Sequence, residues 1–195
     1  DGVVDFVVAS KSKYIYIFDI NGLKAEYDAD RYLIGTPVIG NFDTDSDLEI
    51  AVGGYSGSTS SNPLFVINHD ATDVDGFPYI VGEKIKAGAA VSDMDGNGID
   101  DIIFGTDSDY LHVILDSGES APNFPVSLSD RIQSEPAVLD IDGDKVILTG
   151  CKDNNFYAIN YNDGSLRFLI PTGDDVFTVL KEEAEEDVLR LAGVG

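Results

Sequence analysis

The segment Asp93-Met-Asp-Gly-Asn-Gly-Ile-Asp-Asp-Ile-Ile-Phe-Gly105 decides how this chain is read. Its opening alternates oxygen-bearing side chains with small or apolar ones. Asp93, Asp95, Asn97 and Asp101 fall at positions 1, 3, 5 and 9 of a loop. Gly98 at position 6 permits a tight bend, and Ile99 at position 7 offers its backbone carbonyl. Oxygens at alternate positions of a curling loop converge on a centre of hard-cation size, and calcium takes six to eight of them at ~2.3–2.6 Å. The loop runs straight into Ile102-Ile103-Phe104, a short apolar stretch that reads as a buried strand. An EF-hand would carry Glu at position 12, where this chain has Phe104.

The same phrase recurs on both sides. Upstream stands Thr36-Pro-Val-Ile-Gly-Asn-Phe-Asp-Thr-Asp-Ser-Asp-Leu-Glu-Ile-Ala-Val-Gly-Gly54, and downstream Glu135-Pro-Ala-Val-Leu-Asp-Ile-Asp-Gly-Asp-Lys-Val-Ile-Leu-Thr-Gly150. Aligned on the first Asp of each, the copies lie 50 and 47 residues apart. A second apolar run follows each phrase, at 64–68, 110–115 and 156–160. Partial copies flank the three: Asp1 and Asp5 match the end of an Asp loop, and 179–193 match the first half of the phrase. The repeat boundaries are therefore 1–34 (partial), 35–87, 88–133, 134–175 and 176–195 (partial).

Each repeat offers about four short runs rich in Val, Ile, Phe and Tyr, punctuated by Gly, Asp, Asn and Pro. Runs of this length are too short for helices, and a period of 40–50 residues with four strands is the mark of propeller blades. The expected fold is an all-β propeller of four-stranded antiparallel blades, about four in number. Only 178–191 could pass for a helix, and its place in the repeat argues for a hairpin. The chain starts within a loop and stops within a blade. Three closures stay open: an arc of a longer propeller, which the exposed edges of an open arc favour; closure alone; or two chains completing an eight-bladed ring.

Asp-x-Asp-Gly-Asn-Gly-x-Asp-Asp-Ile-Ile-Phe-Gly at 93–105 resembles the FG-GAP (VCBS-like) repeat of integrin-alpha-type β-propellers. The likeness extends over nearly the whole chain. It implies that the Asp loop joins the first two strands of a blade and binds calcium through Asp93, Asp95, Asn97, Ile99 and Asp101. It also implies ligand contacts on the opposite face. The other copies depart from the pattern. Asp43, Asp45 and Asp47 fill positions 1, 3 and 5 of a loop that reads as two residues shorter, with Glu49 in place of the closing Asp. Asp140, Asp142 and Asp144 fill the same three positions, but Lys145-Val146 follows with no closing acid. In the last copy, 181–186 lacks the alternation and is expected to bind nothing. Asx turns without metal are the competing reading for every such loop.

Composition narrows the function. The 195 residues carry 36 acidic side chains (27 Asp and 9 Glu) against 12 basic ones, a formal charge of −24. Such a surface repels phosphate, which excludes sequence-independent nucleic-acid binding and disfavours anionic membranes. No apolar run reaches the ~18 residues that would span a bilayer. Cys151 is alone, so no internal disulfide forms. Catalytic signals are weak. His112 lies inside an apolar run and His69 in a polar turn, each better explained by packing or solvation. Gly54-Tyr-Ser-Gly-Ser58 lacks the final Gly of a nucleophile elbow.

The expected function is a non-enzymatic, calcium-binding module of an extracellular or cell-surface protein that recognises a protein or glycan. The alternatives are an accessory propeller domain of a secreted hydrolase or viral appendage, and a structural spacer. Tyr55, in the longest loop of the opposite face, is placed to stack on a sugar or a partner.

Overall fold

The computed structural model describes residues 4–57, 62–141 and 143–177. These form four antiparallel sheets in succession along the chain, with no helix among the described residues. The first blade holds β1 (Phe6–Ala9), β2 (Tyr14–Asp19) and β3 (Gly22–Asp28). The second holds β4 (Val38–Gly40), β5 (Glu49–Gly53), β6 (Pro63–Ile67) and β7 (Tyr79–Ile80). The third holds β8 (Ala90–Ser92), β9 (Asp101–Gly105), β10 (Tyr110–Ile114) and β11 (Val126–Ser127). The fourth holds β12 (Ala137–Ile141), β13 (Asp144–Cys151), β14 (Asn155–Asn160) and β15 (Leu166–Pro171). In each sheet the strands lie side by side in chain order. The expected propeller architecture is thus observed, and the first blade, read from sequence as a partial copy, has three strands among the described residues. The degenerate copy expected at 176–195 lies, from 178 onward, outside the described residues.

Successive side chains of a strand point to opposite faces of the sheet. Here both faces are covered, which is why β5 and β9 are buried along their full length and read as unbroken apolar runs. The pairs Gly53↔Leu64, Gly105↔Leu111 and Gly150↔Phe156 fix a common register for the last three blades. In that register Ile50, Ile102 and Ile147 face back towards the preceding blade, while Ala51, Ile103 and Leu148 face forward. The backward side of the second blade (Ile50, Val52, Phe65, Ile67) packs on Ile15, Ile17 and Leu33. The backward side of the third blade (Ile102, Phe104, Ile114) packs on Ala51, Leu64 and Val66. The backward side of the fourth (Ile147, Tyr157, Ile159) packs on Ile103, Leu111 and Val113. Each such aliphatic or aromatic side chain contributes about 1.5–3 kcal/mol on burial.

One contact repeats at the end of the second strand of the second, third and fourth blades, where the first blade has Ala9. A Cβ on Gly53, Gly105 or Gly150 would lie 2.1 Å from Ile85 Cγ2, 2.1 Å from Ile132 Cγ2 or 2.3 Å from Val176 Cγ1 respectively. The linker to the next blade therefore lies directly on the end of the second strand, and only glycine leaves it room. Together these packings bring the hairpins between first and second strands to one end of the assembly, where the Asp loops sit.

Candidate metal centre

The loop 93–100 joins β8 to β9, and Ser92 pairs with Asp101 at its base. It is built by side-chain oxygens taking up its own amides. Asp93 Oδ1 accepts from the N–H of Gly96 (2.7 Å) and Asn97 (3.1 Å), and its Oδ2 accepts from Gly98 (2.9 Å). Asp95 Oδ1 accepts from Asn97 N–H, and Asn97 Oδ1 from Ile99 N–H (2.7 Å). The coil needs left-handed backbone at Gly96 (φ 85°) and Gly98 (φ 90°), which glycine adopts without strain. Oxygens from Asp93, Asp95 and Asp101 end within 4.8 Å of one another.

Asp101 closes the loop from inside the fold. It is fully buried, with Oδ2 accepting from Met94 N–H (2.8 Å) and Oδ1 from Asp116 N–H (3.0 Å). Burial pushes its carboxyl up to about 6, against the pull of those two amides, with Asp95 and Asp116 adding to the rise.

The loop 41–48 is constructed the same way. Gly40 pairs with Glu49 at its base, as Ser92 does with Asp101. Phe42 N–H donates to Glu49 Oε2 (2.7 Å), the counterpart of Met94 on Asp101. Glu49 is fully buried, and burial raises its carboxyl pKa, with Asp43, Asp45 and Asp47 adding to the rise. Oxygens of Asp43, Asp45 and Glu49 again converge within 4.8 Å.

This pairing corrects the register read from sequence. Counted from the closing acid, the loop is as long as 93–100, and position 1 is Asn41. Asp43, Asp45, Asp47 and Glu49 then take positions 3, 5, 7 and 9. Asn41 was missed because the count began at the first Asp; counting back from the acid that opens the second strand would have found it. Two oxygens of this loop, Asn41 Oδ1 and Glu49 Oε1, are buried without a hydrogen-bond partner. Orphaned buried oxygens are costly and call for an explanation. A hard-oxygen donor set with unsatisfied buried members fits a divalent cation. Asn41, Asp43, Asp45 and Glu49 would hold it at one loop, and Asp93, Asp95, Asn97 and Asp101 at the other.

The third loop differs in length and in its closing residue. Leu139 pairs with Val146, so Val146 occupies the place of Glu49 and Asp101. It is buried and apolar. Here the loop is the one shortened by two residues. Asp140 Oδ1 accepts from Gly143 N–H (2.9 Å), Asp144 accepts from Asn162 (3.1 Å), and Asp142 lies outside the described residues. Asp5 occupies the closing position in the first blade but is tied by Lys24 Nζ at 2.9 Å, and Asp1 is outside the described residues.

Neighbouring blades are clasped at the two paired loops. Asp100 N–H donates to Asn41 O (2.8 Å), and Asn41 N–H donates to Asp100 Oδ2 (3.0 Å). Beside them opens a cleft of about 600 Å³, lined by Asp43, Asp45, Asp73, Asp75 and Asp116 among others. Asp73 and Asp75 thus share a wall with the 41–48 loop. Tyr27 Oη donates to Asp73 (2.8 Å).

The remaining candidates are structural in their surroundings. His112 is buried, stacked on Phe104 at 5.1 Å, with Nε2 3.5 Å from Glu83. His69 is exposed, 3.5 Å from Asp47. Cys151 is buried, and burial pushes its thiol up to about 11. On the opposite face Tyr55 exchanges backbone hydrogen bonds with Tyr32 (2.9 and 3.0 Å), and Lys86 Nζ sits 5.8 Å from the Tyr55 ring centre.

No family model and no curated protein matches the chain. Solved structures do. Sqt1 of Saccharomyces cerevisiae superposes with a TM-score of 0.70 at 12% identity, over 91% of this chain and 50% of that one. The V. cholerae biofilm matrix protein Bap1 gives 0.65 at 15%, over 88% of this chain and 26% of that one. BBS1N, solved in complex with ARL6DN, gives 0.62 at 14%, over 87% of this chain and 50% of that one. These likenesses establish the propeller fold. The chain spans half or less of the length of each.

Proposed function

We propose that the chain is a calcium-stabilised, non-enzymatic propeller module of an extracellular or surface protein that presents a binding face to a protein or glycan. The observation that carries the calcium reading is the pair of matched loops. Two successive blades each converge three carboxylates, one of them fully buried, and one loop leaves two buried oxygens unsatisfied. Carboxylates so close repel one another, and a bound divalent ion removes that penalty. Calcium supplies charge neutralisation and a rigid loop, and no chemistry of bond making. Affinities of ~0.1–1 mM suit such sites in external fluids.

The recognition role has two supports. The fold is shared with a biofilm matrix protein and with a propeller captured in a protein complex. The face opposite the loops carries Tyr32 and Tyr55 with their rings 5.6 Å apart beside Lys86. Thermal unfolding in calcium and in EDTA tests the ion. An unchanged Tm would remove the calcium reading. A glycan array and a pull-down with Tyr55→Ala as control test the face. Equal binding by the variant would move recognition elsewhere on the surface.

A further inference from the structure

Asn41 is held by a neighbour rather than by its own hairpin. Gly40↔Glu49 is the last pair of the β4–β5 ladder, so the ladder stops one residue short of it. Both of its backbone groups are taken up by one residue of the next blade. Asn41 N–H donates to Asp100 Oδ2 (3.0 Å), and Asn41 O accepts from Asp100 N–H (2.8 Å). Its side-chain Oδ1 is buried without a partner. The residue at position 1 of one loop is therefore placed by the other loop.

Asp100 stands at position 8 of that other loop, between Ile99 and the closing Asp101. The Ile99–Asp100 peptide is planar and trans, so its N–H and its carbonyl point in opposite directions. The N–H is directed at Asn41. The carbonyl is the one that the spacing offers at position 7 of 93–101. Ligation of that carbonyl polarises the same peptide and strengthens its N–H as a donor. It also fixes the Asp100 backbone, which leaves less ordering to be done when the 41–49 loop closes.

The contact is confined to the junction where two complete donor sets adjoin. In the fourth blade the place of Asp100 is taken by Lys145, one residue before Val146. Lys145 pairs with Asp140 across its own hairpin, and its carbonyl accepts from Tyr161 N–H (3.0 Å). Among the described residues no backbone hydrogen bond joins Lys145 to Asp93. A clasp that served only to dock blades would suit that junction equally well.

We propose that Asp100 couples the two loops, so that calcium at either one tightens calcium at the other. This rests on the calcium reading of both loops and goes further in making the sites interdependent. Asp100 is a positioning residue, which acts through the backbone of Asn41 and lies outside both donor sets. Coupling between binding sites is reciprocal, so the factor is the same whichever loop fills first. Direct repulsion between two cations acts the other way. It is screened beyond ~8 Å in physiological salt, whereas partly buried contacts such as the clasp are screened much less.

Isothermal titration with calcium measures the factor. Asp101→Asn and Glu49→Gln each leave one working loop and give the affinity of that loop alone. In the unaltered chain the product of the two affinities is expected to exceed the product of those single values by roughly fivefold or more. Asp100→Ala is expected to bind two ions with most of that excess gone. Asp100→Asn keeps an acceptor for Asn41 N–H and is expected to retain most of it. Raising the salt weakens both sites and leaves the factor in place. Two ions bound without excess overturn the coupling while the calcium reading stands, and absence of bound calcium overturns both. An excess untouched by Asp100→Ala, or abolished by salt, does not come from the clasp and overturns the proposal. A second arm needs no change at the clasp itself. In Glu49→Gln, where 93–101 alone fills, calcium is expected to slow hydrogen exchange at the Asn41 amide. Exchange there that is indifferent to calcium overturns transmission from one loop to the other.

Discussion

Replacing Asp101 by Asn tests the electrostatic logic of the metal loops at its most sensitive atom pair. Without a cation, the buried carboxylate is a liability. Its pKa rises from 3.8 to about 6, so the folded state holds the proton more tightly than the unfolded state does. Stability contributed by this group is therefore greatest below the unfolded value and declines as pH climbs through the interval up to about 6. Above it the charge destabilises the metal-free fold by about 3 kcal/mol, at 1.36 kcal/mol per unit. Asn removes that charge. It also keeps only one acceptor for the two amides that Asp101 satisfies, Met94 N–H at 2.8 Å and Asp116 N–H at 3.0 Å. A lost bond to a charged acceptor costs about 1.5–3 kcal/mol. The two effects nearly cancel, so in EDTA at neutral pH the variant melts within a few degrees of the parent.

Calcium separates them. At a hundredfold excess over Kd, one site adds ~2.7 kcal/mol, and for a domain of this size each kcal/mol moves Tm by roughly 2–4 °C. The parent gains one such increment at each of two loops. Asp101→Asn loses the increment of its own loop and keeps that of 41–49. Differential scanning calorimetry in EDTA and in calcium, with binding stoichiometry by isothermal titration, reads both quantities. The reasoning is refuted if the variant binds as many ions as the parent with the same rise in Tm.

Glu49→Gln is expected to remove the other calcium equivalent, and Asn41→Ala to weaken it; unchanged stoichiometry in both would detach the orphaned oxygens from any ion. Gly105→Ala forces a Cβ to within 2.1 Å of Ile132 Cγ2 and should destabilise by ~1–3 kcal/mol, seen as a lower denaturation midpoint. Adding Ile132→Ala should cost less in that background than alone, and strict additivity would argue against the contact. His112 is held neutral by burial, which outweighs the opposing pull of Glu83 and lowers its pKa from 6.5. The stability it contributes is present above 6.5 and is lost as pH falls through the folded value. His112→Phe, copying Phe65 at the matching position, should flatten that acid limb, and an identical pH–stability profile would show that His112 does not set it.

The fold could be read from the sequence because each blade repeats the same local grammar. The Asp loop, the apolar run that follows it and the closing Gly recur together, and sheets covered on both faces leave no ambiguity of alternation. Residues 93–101 could be read for the same reason, since their loop geometry is internal to nine residues. The 41–49 loop was misregistered because Asp43-x-Asp45-x-Asp47 offers a more obvious start than Asn41. Register there is set by the cross-strand pair Gly40↔Glu49, which no local pattern displays. The clasp of Asp100 on Asn41 and the shared wall of Asp43 and Asp73 depend on how blades sit beside each other.

Whether the paired Asp loops hold calcium is read by a calcium titration of the unaltered chain, followed by its melting temperature with magnesium as control. Two calcium loops give a saturable rise in Tm, reversed by EDTA and fitted by two sites, with magnesium much weaker. A melting temperature indifferent to calcium would contradict that reading.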